Sequence, residues 1–327
     1  MKLFSSILFV SILVLVIVIL DATNGQGLKL GFYKKTCPDA ESIIRKTTAS
    51  FVSKNPTLAA ALLRMNFHDC FVKGCDGSVL LNSTSSNQAE KSAPPNLSLR
   101  GFGVIDAVKA SVEQKCPGVV SCADILSLAA RDAVATIKGP YWKVTTGRRD
   151  GRESTAVNAL TNLPPGSADI SSLKATFASK DLSPKDLAVL SGAHTIGISF
   201  CTSFTNRLYN FTGKGDSDPT LDSEYVPRLK SKCKPNDAVQ TAEMDPGSFK
   251  SFDSSYYSLV IKRRGLFQSD SALLNDAVTK AYVKRQATKR GSPTFFKDFA
   301  KSMEKMNAIE VLTGKAGEIR KHCAFIN

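Results

Sequence analysis

The chain has 327 residues, 43% of them hydrophobic and 22% charged, which excludes a disordered, collagenous or low-complexity protein and allows one large domain or two lobes sharing a core. Lysine and arginine number 43 against 29 acids, a formal charge of +14. A surplus of that size points to an anionic partner, with nucleic acid, phospholipid and acidic polysaccharide as the classes to separate.

The N-terminus opens with Lys2 and an apolar run from Ile7 to Leu20 broken only by Ser11, followed by Asp21, Ala22, Thr23, Asn24 and Gly25. This is the pattern of a secretory signal peptide over residues 1–25, with cleavage near Gly25/Gln26. The run is shorter than the ~20 residues of a spanning helix, and none like it follows, so no membrane attachment is expected after processing. Export removes nucleic acid as a partner, and no basic stripe interleaved with aromatics is present. Export also permits disulfides, so the eight cysteines read as four bridges, with roughly a hundred pairings open. Cys70 and Cys75 bracket a short loop, and zinc is excluded because no CxxC occurs and the histidines lie far apart.

Helical periodicity dominates the rest of the chain. Leu58, Ala61, Leu62 and Met65 form an apolar face leading into Arg64-Met65-Asn66-Phe67-His68-Asp69-Cys70. Arg64 and His68 stand one turn apart and share a face, where a guanidinium beside a neutral imidazole can polarise and deprotonate a small bound molecule. The following loop to Ser78 offers Asp69, Asp76, a hydroxyl and carbonyls exposed by glycines, a donor set suited to Ca²⁺ although it is not an EF-hand. Pro94-Pro95 marks a loop. Phe102, Ile105, Val108 and Val112 stripe the next helix, and Ile125, Leu126, Leu128 and Ala129 belong to a buried one. Tyr141–Thr146 is the best strand candidate, and Pro164-Pro165 places a lobe boundary near Leu163–Gly166.

Ser183-Pro184-Lys185-Asp186 reads as a helix start, with a serine cap, proline in the first turn and an acid three residues on. Its apolar face, Leu187 and Leu190, ends at His194. A metal-ligating histidine needs an acceptor for its second nitrogen, and Asp270 is a candidate. Phe295, Phe299, Met303 and Met306 stripe a last helix. The expectation is a mainly α fold with minor β.

At these residues the sequence resembles the secreted plant haem peroxidases of class III, from about Gln26 to Asn327. The matching strings are FYKKTCP, RMNFHDCFVKGCDGS, EKSAPPNLSLRGF, CPGVVSCADILSLAARDAV, GRRDG, NLP, DLAVLSGAHTIG, MDPGSFKSFDSSYY, GLFQSD and FFKDFAKSMEKM. The resemblance implies a two-lobed fold, a distal lobe of about 26–165 and a proximal lobe of about 166–327, with one haem b between them. His194 matches the proximal iron ligand and Asp270 its hydrogen-bond partner. His68 matches the distal base, Arg64 the distal cation, Asn96 the residue that orients His68 with Glu90 in the same network, and Phe67 the distal aromatic wall. H₂O₂ would be reduced to water through a ferryl intermediate, and phenolic donors oxidised by one-electron steps near Pro164.

The resemblance further implies two Ca²⁺ ions. Asp69, Val72, Gly74, Asp76 and Ser78 match the distal set, and Thr195, Asp245, Ser248, Ser251 and Asp253 the proximal one. It implies the pairs Cys37–Cys116, Cys70–Cys75, Cys122–Cys323 and Cys201–Cys233, and a monomer in the apoplast or cell wall. Where some members carry phenylalanines around the donor, this chain has Pro94, Ser167 and Ser203, which implies a more open entrance. Asn82 and Asn210 are glycan acceptors, while Asn96, though in a sequon, must be buried to orient His68. The competing reading is a cationic matrix protein that grips acidic polysaccharide around a vestigial haem pocket. A Ser-His-Asp hydrolase is unsupported, since no G-x-S-x-G string occurs.

Overall fold

The computed structural model describes residues 27–288 and 291–327, and the expected signal peptide lies outside the described residues. Helices dominate. In α1 (Ala40–Lys54) Ala40, Ile44, Thr48 and Val52 repeat every fourth residue and form the buried stripe. In α2 (Leu58–Val72) burial is nearly continuous from Met65 to Val72, with Phe67 half-buried. Gly101, in the left-handed region at φ 101°, starts α3 (Phe102–Glu113). Its stripe is Val104, Ile105, Val108 and Val112.

The centre is α4 (Cys122–Thr136), buried on every side from Cys122 to Val134. A helix hydrophobic all round must be packed all round, and both α1 and α2 lie against it. Its first N–H groups are satisfied from outside the helix. The Ser121 hydroxyl accepts from Asp124 N at 3.1 Å, and the Asp150 carboxylate accepts from Cys122 and Ala123 at 3.1 and 2.9 Å. Thr155 caps α5 (Ala156–Asn162), which packs on α2 and on the Pro94–Asn96 turn, and Asp169 caps α6 (Ile170–Ala178).

Ser183 and Asp186 form a reciprocal capping box at the start of α7 (Pro184–Ser191), as the sequence suggests. The chain then tightens into a 3₁₀ turn over Gly192–Thr195 that carries His194. Two three-residue strands follow, β1 (Ile198–Phe200) and β2 (Thr241–Glu243), antiparallel with Ile198 opposite Glu243 and Phe200 opposite Thr241. Between them runs α8 (Tyr225–Lys232), and after them come α9 (Ser255–Ile261), α10 (Gln268–Ala272), α11 (Ala277–Gln286) and α12 (Gly291–Met306). Helices α11 and α12 pack on α7, with Phe295, Phe299, Met303 and Met306 buried. The fold is mainly α with minor β, as expected.

The strand expected at Tyr141–Thr146 does not form. Its residues alternate between outward and buried positions, but only Thr146 finds a partner, an isolated bridge to Lys29. An extended segment with no neighbour to ladder with is not a strand.

Disulfides join Cys37 to Cys116, Cys70 to Cys75, Cys122 to Cys323 and Cys201 to Cys233. The third returns the C-terminus to the start of α4. There Arg320 N donates to Asp150 at 2.9 Å, and Arg320 Nη2 donates to the Gly77 carbonyl at 2.6 Å. Gly77 sits at φ 71°, and a Cβ there would lie 2.6 Å from Arg320 Nη2, so the tail closes onto the loop after His68 only because that residue has no side chain. Among the described residues no helix is long and apolar enough to cross a membrane.

Candidate active site

Helix α2 puts Arg64 one turn before His68, and the two side chains meet: Arg64 Nε donates to His68 Nε2 at 3.1 Å. The tautomer follows from the other side of the ring. Asn96 Nδ2 donates to the Glu90 carbonyl at 2.8 Å, which turns its Oδ1 toward His68 Nδ1 at 2.5 Å. An oxygen can only accept, so Nδ1 carries the proton and Nε2 keeps the lone pair that Arg64 donates to. Burial, and after it the Arg64 charge, hold the imidazole neutral by lowering its pKa to about 3. Arg64 is lowered to about 10 by burial and then Arg100, and so stays a cation at neutral pH.

The guanidinium is fixed by neutral acceptors, Ser98 Oγ at 2.9 Å and the Pro95 carbonyl at 2.8 Å. No carboxylate pairs with it among the described residues, so its charge is not cancelled locally. Glu90 joins the network through its main chain. Its carboxylate is buried without a well-formed hydrogen bond, and burial pushes it up to about 8. Phe67 stands edge-on to His68, centroids 5.4 Å apart, and packs on Phe71 at 4.5 Å.

The second histidine is built by a different segment. His194 Nδ1 lies 2.8 Å from Asp270 Oδ1, and Asp270 is 1% exposed. Burial alone would raise this carboxyl. His194, the Phe267 N–H at 2.9 Å and the Tyr256 hydroxyl at 2.8 Å outweigh burial and hold it below its ordinary value. Gly265 makes room for it, since a Cβ there would lie 2.5 Å from Asp270 Cβ. The ionised carboxylate fixes the proton of His194 on Nδ1. Nε2 takes no hydrogen bond from any described residue, and the side chain is 34% exposed. An imidazole with one nitrogen anchored to a buried carboxylate and the other free of protein partners is an arrangement that can serve an axial metal ligand. No hydrogen bond or ring contact among the described residues links the His68 group to the His194 group.

Around each histidine lies a set of oxygens. Beside His68, the Asp69 carboxylate accepts from Gly77 N at 2.9 Å and Val79 N at 3.4 Å, and Asp76 Oδ1 accepts from Ser78 N at 2.9 Å. Burial raises both acids, and for Asp69 the neighbouring Asp76 adds to it. The Ser78 hydroxyl is buried without a partner. Val72 ends α2, and the Gly74 carbonyl accepts from Asp76 N at 2.9 Å. Beside His194, the Thr195 hydroxyl lies 3.3 Å from Asp245 and 3.1 Å from Asp253, and the Ser248 hydroxyl donates to Asp253 at 2.8 Å. Asp245 is pushed up to about 6 by burial and then by Asp253. Ser251 is exposed and joins through its N–H, which donates to the Ser248 carbonyl at 2.7 Å. No cluster of three or more His, Cys, Asp or Glu side chains capable of holding a metal occurs among the described residues. A cation at either place would need these hydroxyls and carbonyls to complete its shell.

Pro164 is half-buried after α5, while Pro94, Ser167 and Ser203 are exposed. Sequence reasoning missed Ser98, Pro95 as an acceptor, and Tyr256. None carries a positional signal, because each acts across a turn or between elements.

The peroxidase family model matches residues 44–289. The chain therefore belongs to the peroxidase family, on the plant class III side that its strings resemble, and it is a peroxidase. It is 60% identical over 320 residues to "Peroxidase 27" of Arabidopsis thaliana, covering 98% of each chain. It is 56% identical over 323 residues to "Peroxidase 56" of the same plant, covering 99% of this chain and 98% of the relative. To "Peroxidase 1" of Oryza sativa subsp. japonica it is 55% identical over 300 residues, covering 90% and 92%.

Proposed function

We propose that the protein is a secreted, monomeric peroxidase that holds one haem b between two lobes, with His194 Nε2 as the protein's iron ligand, and oxidises phenolic donors with H₂O₂. The observation that carries this is the pair of imidazoles whose Nδ1 atoms are anchored, one on Asn96 and one on Asp270, leaving Nε2 of each turned away from its anchor. When bound, the haem supplies the iron at which peroxide is reduced and the electron holes that donors refill.

The residues divide the remaining work. His68 Nε2 takes a proton from H₂O₂ and returns it to the departing oxygen, a transfer that its lowered pKa suits, since the base stays unprotonated at neutral pH. Arg64 places positive charge where negative charge develops on that oxygen. Asn96 keeps the proton of His68 on Nδ1. Asp270 draws on the Nδ1–H of His194, which gives the ring imidazolate character and favours oxidised iron. Overall H₂O₂ gains two electrons and two protons and leaves as two waters, while two donors each give up one electron and one proton. Phe67 and Pro164 are assigned to the wall and to the donor edge.

Two calcium ions are part of the proposal, on the sets beginning at Asp69 and Thr195. The orphaned Ser78 hydroxyl and the acids raised by burial are what a cation would satisfy. Glycans are assigned to the exposed Asn82 and Asn210, whereas Asn96 is 1% exposed and its amide nitrogen is already engaged. The signal-peptide pattern and the +14 charge support the apoplast or cell wall, with acidic polysaccharide as a secondary partner. The family match favours this enzyme over a vestigial matrix protein. The test is an absorption spectrum of the purified holoprotein before and after peroxide. A Soret band that shifts on addition is expected, and a missing or unresponsive band overturns the reading.

A further inference from the structure

Away from both histidines, the segment 139–143 and the outer side of α12 enclose an open groove of about 570 Å³, lined in part by Tyr141, Lys143, Phe296, Lys297, Lys301 and Glu304. A second cavity of about 150 Å³ shares Lys143 and Glu304 with it and continues past Leu30 and Asn307.

Three features define what fits there. The first is charge. Lys143, Lys297 and Lys301 are exposed, and their ammonium groups pair with no carboxylate among the described residues, while Glu304 is the one acid in the lining. Lys297 and Lys301 lie one helical turn apart, about 6 Å along the axis, a spacing comparable to one sugar unit.

The second is a fixed aromatic surface. Tyr141 is 55% exposed, and the Arg131 guanidinium covers one side of its ring at 4.6 Å. Arg131 is itself buried and held by Asp132 at 2.9 Å. The ring is therefore immobilised from below and offers a flat apolar surface beside cations, with little ordering left to do on binding. The third is an unused donor: the Asn307 carboxamide nitrogen is buried without a partner, and Asn307 lines the second cavity.

We propose that this groove binds a carboxylated polysaccharide, a polyuronate chain lying along α12 with carboxylates on Lys143, Lys297 and Lys301 and a sugar ring on Tyr141. A pyranose ring brings an apolar C–H face for the tyrosine, hydroxyls for Glu304 and Asn307, and one carboxylate per unit for the lysines. A nucleic acid or an anionic bilayer matches less well. Dense phosphate would meet Glu304, and isolated ammonium groups lack the bidentate fork of arginine. The assignment rests on the extracellular reading above but not on the peroxidase chemistry.

The experiment titrates the holoprotein with polygalacturonate at physiological ionic strength. Lys143→Gln/Lys297→Gln/Lys301→Gln should weaken binding about tenfold or more, the sum of modest individual ion pairs. Tyr141→Ala should weaken it severalfold with no change of charge. Lys214→Gln/Lys232→Gln/Lys234→Gln, equal in net charge, should leave it within about twofold. In the unmodified protein the polymer should shield Lys297 and Lys301 from an amine-reactive reagent more than Lys232 and Lys234. Equal losses in the two triple variants, or equal shielding, overturn the proposal. So does a DNA duplex or an anionic vesicle that binds as tightly through the same three lysines. Oxidation of a small phenol by the groove variants should match wild type. A preparation without peroxidase activity that still binds polyuronate through the groove would leave this proposal standing and remove the other.

Discussion

Tyr256 and His194 converge on the same atom, Oδ1 of Asp270, each at 2.8 Å. Two donors sharing one oxygen divide its electron density, so the tyrosine limits how strongly the carboxylate pulls on the imidazole. Tyr256→Phe removes one donor and leaves the ring and its packing against His194, centroids 5.8 Å apart. The remaining His194 bond should strengthen. If His194 holds the haem iron as proposed, the midpoint potential of the loaded protein should fall by a few tens of millivolts, on the order of one hydrogen bond's net worth. Spectroelectrochemistry of the variant decides this, and an unchanged or raised potential contradicts the shared-oxygen account.

The His68 arrangement makes a graded prediction. His68→Ala should slow the reaction with peroxide by about 10²–10⁴-fold, the usual worth of a positioned general base. Asn96→Ala leaves the base in place but frees its tautomer, and should cost about 10–100-fold, as for other residues that orient a working imidazole. Stopped-flow absorbance after mixing with H₂O₂ gives both rates, with the starting spectrum retained in each variant. If Asn96→Ala were as slow as His68→Ala, orientation alone could not be its role.

Much of this site was legible in the sequence, and physical reasons separate what was from what was not. Arg64 and His68 could be paired from spacing because a helix brings i and i+4 together. Ser183 and Asp186 were legible as a capping box for the same local reason. His194 and Asp270 are 76 residues apart, and no local rule joins them, so resemblance supplied the pair. The misplaced strand at Tyr141–Thr146 shows the limit of period-2 patterning: the alternation was real, but pairing depends on a neighbour that sequence does not reveal. The true strands, at three residues each, are too short to show a period. Tyr256 and Ser98 act through single hydroxyls placed by tertiary packing, and a lone hydroxyl carries no pattern.

Gly151 tests the calcium proposal from outside its ligand set. A Cβ at that position would fall 2.1 Å from Asp76 Oδ2 and 2.8 Å from its Cγ, so alanine must displace the carboxylate. Gly151→Ala should therefore lower the bound calcium from two ions to one by metal analysis. The variant should also lose part of the drop in melting temperature that a chelator causes in the wild type. Retention of both ions would show that Asp76 is not a ligand.

Asp186 links the helix that leads to His194 with the last helix. Its Oδ2 accepts from Ser183 N at 3.0 Å and from Lys305 Nζ at 2.8 Å, and its Oδ1 accepts from Ser302 at 2.8 Å. Burial opposes its ionisation, but Lys305, Ser183 and Ser302 outweigh burial and set its pKa below the ordinary 3.8. A carboxyl lowered on folding adds stability that is complete above its unfolded pKa and vanishes as pH falls through the folded value. Asp186→Asn should thus cost about 1 kcal/mol at pH 7, mostly through the cap and the Ser302 bond, since Lys305 is 55% exposed and its charge is screened. The gap in stability between variant and wild type should stay constant from pH 7 to about pH 5 and close as the pH drops below about 4. Urea denaturation across that range measures it. A gap that widened on acidification would mean that the carboxyl is raised by its burial rather than lowered by its partners.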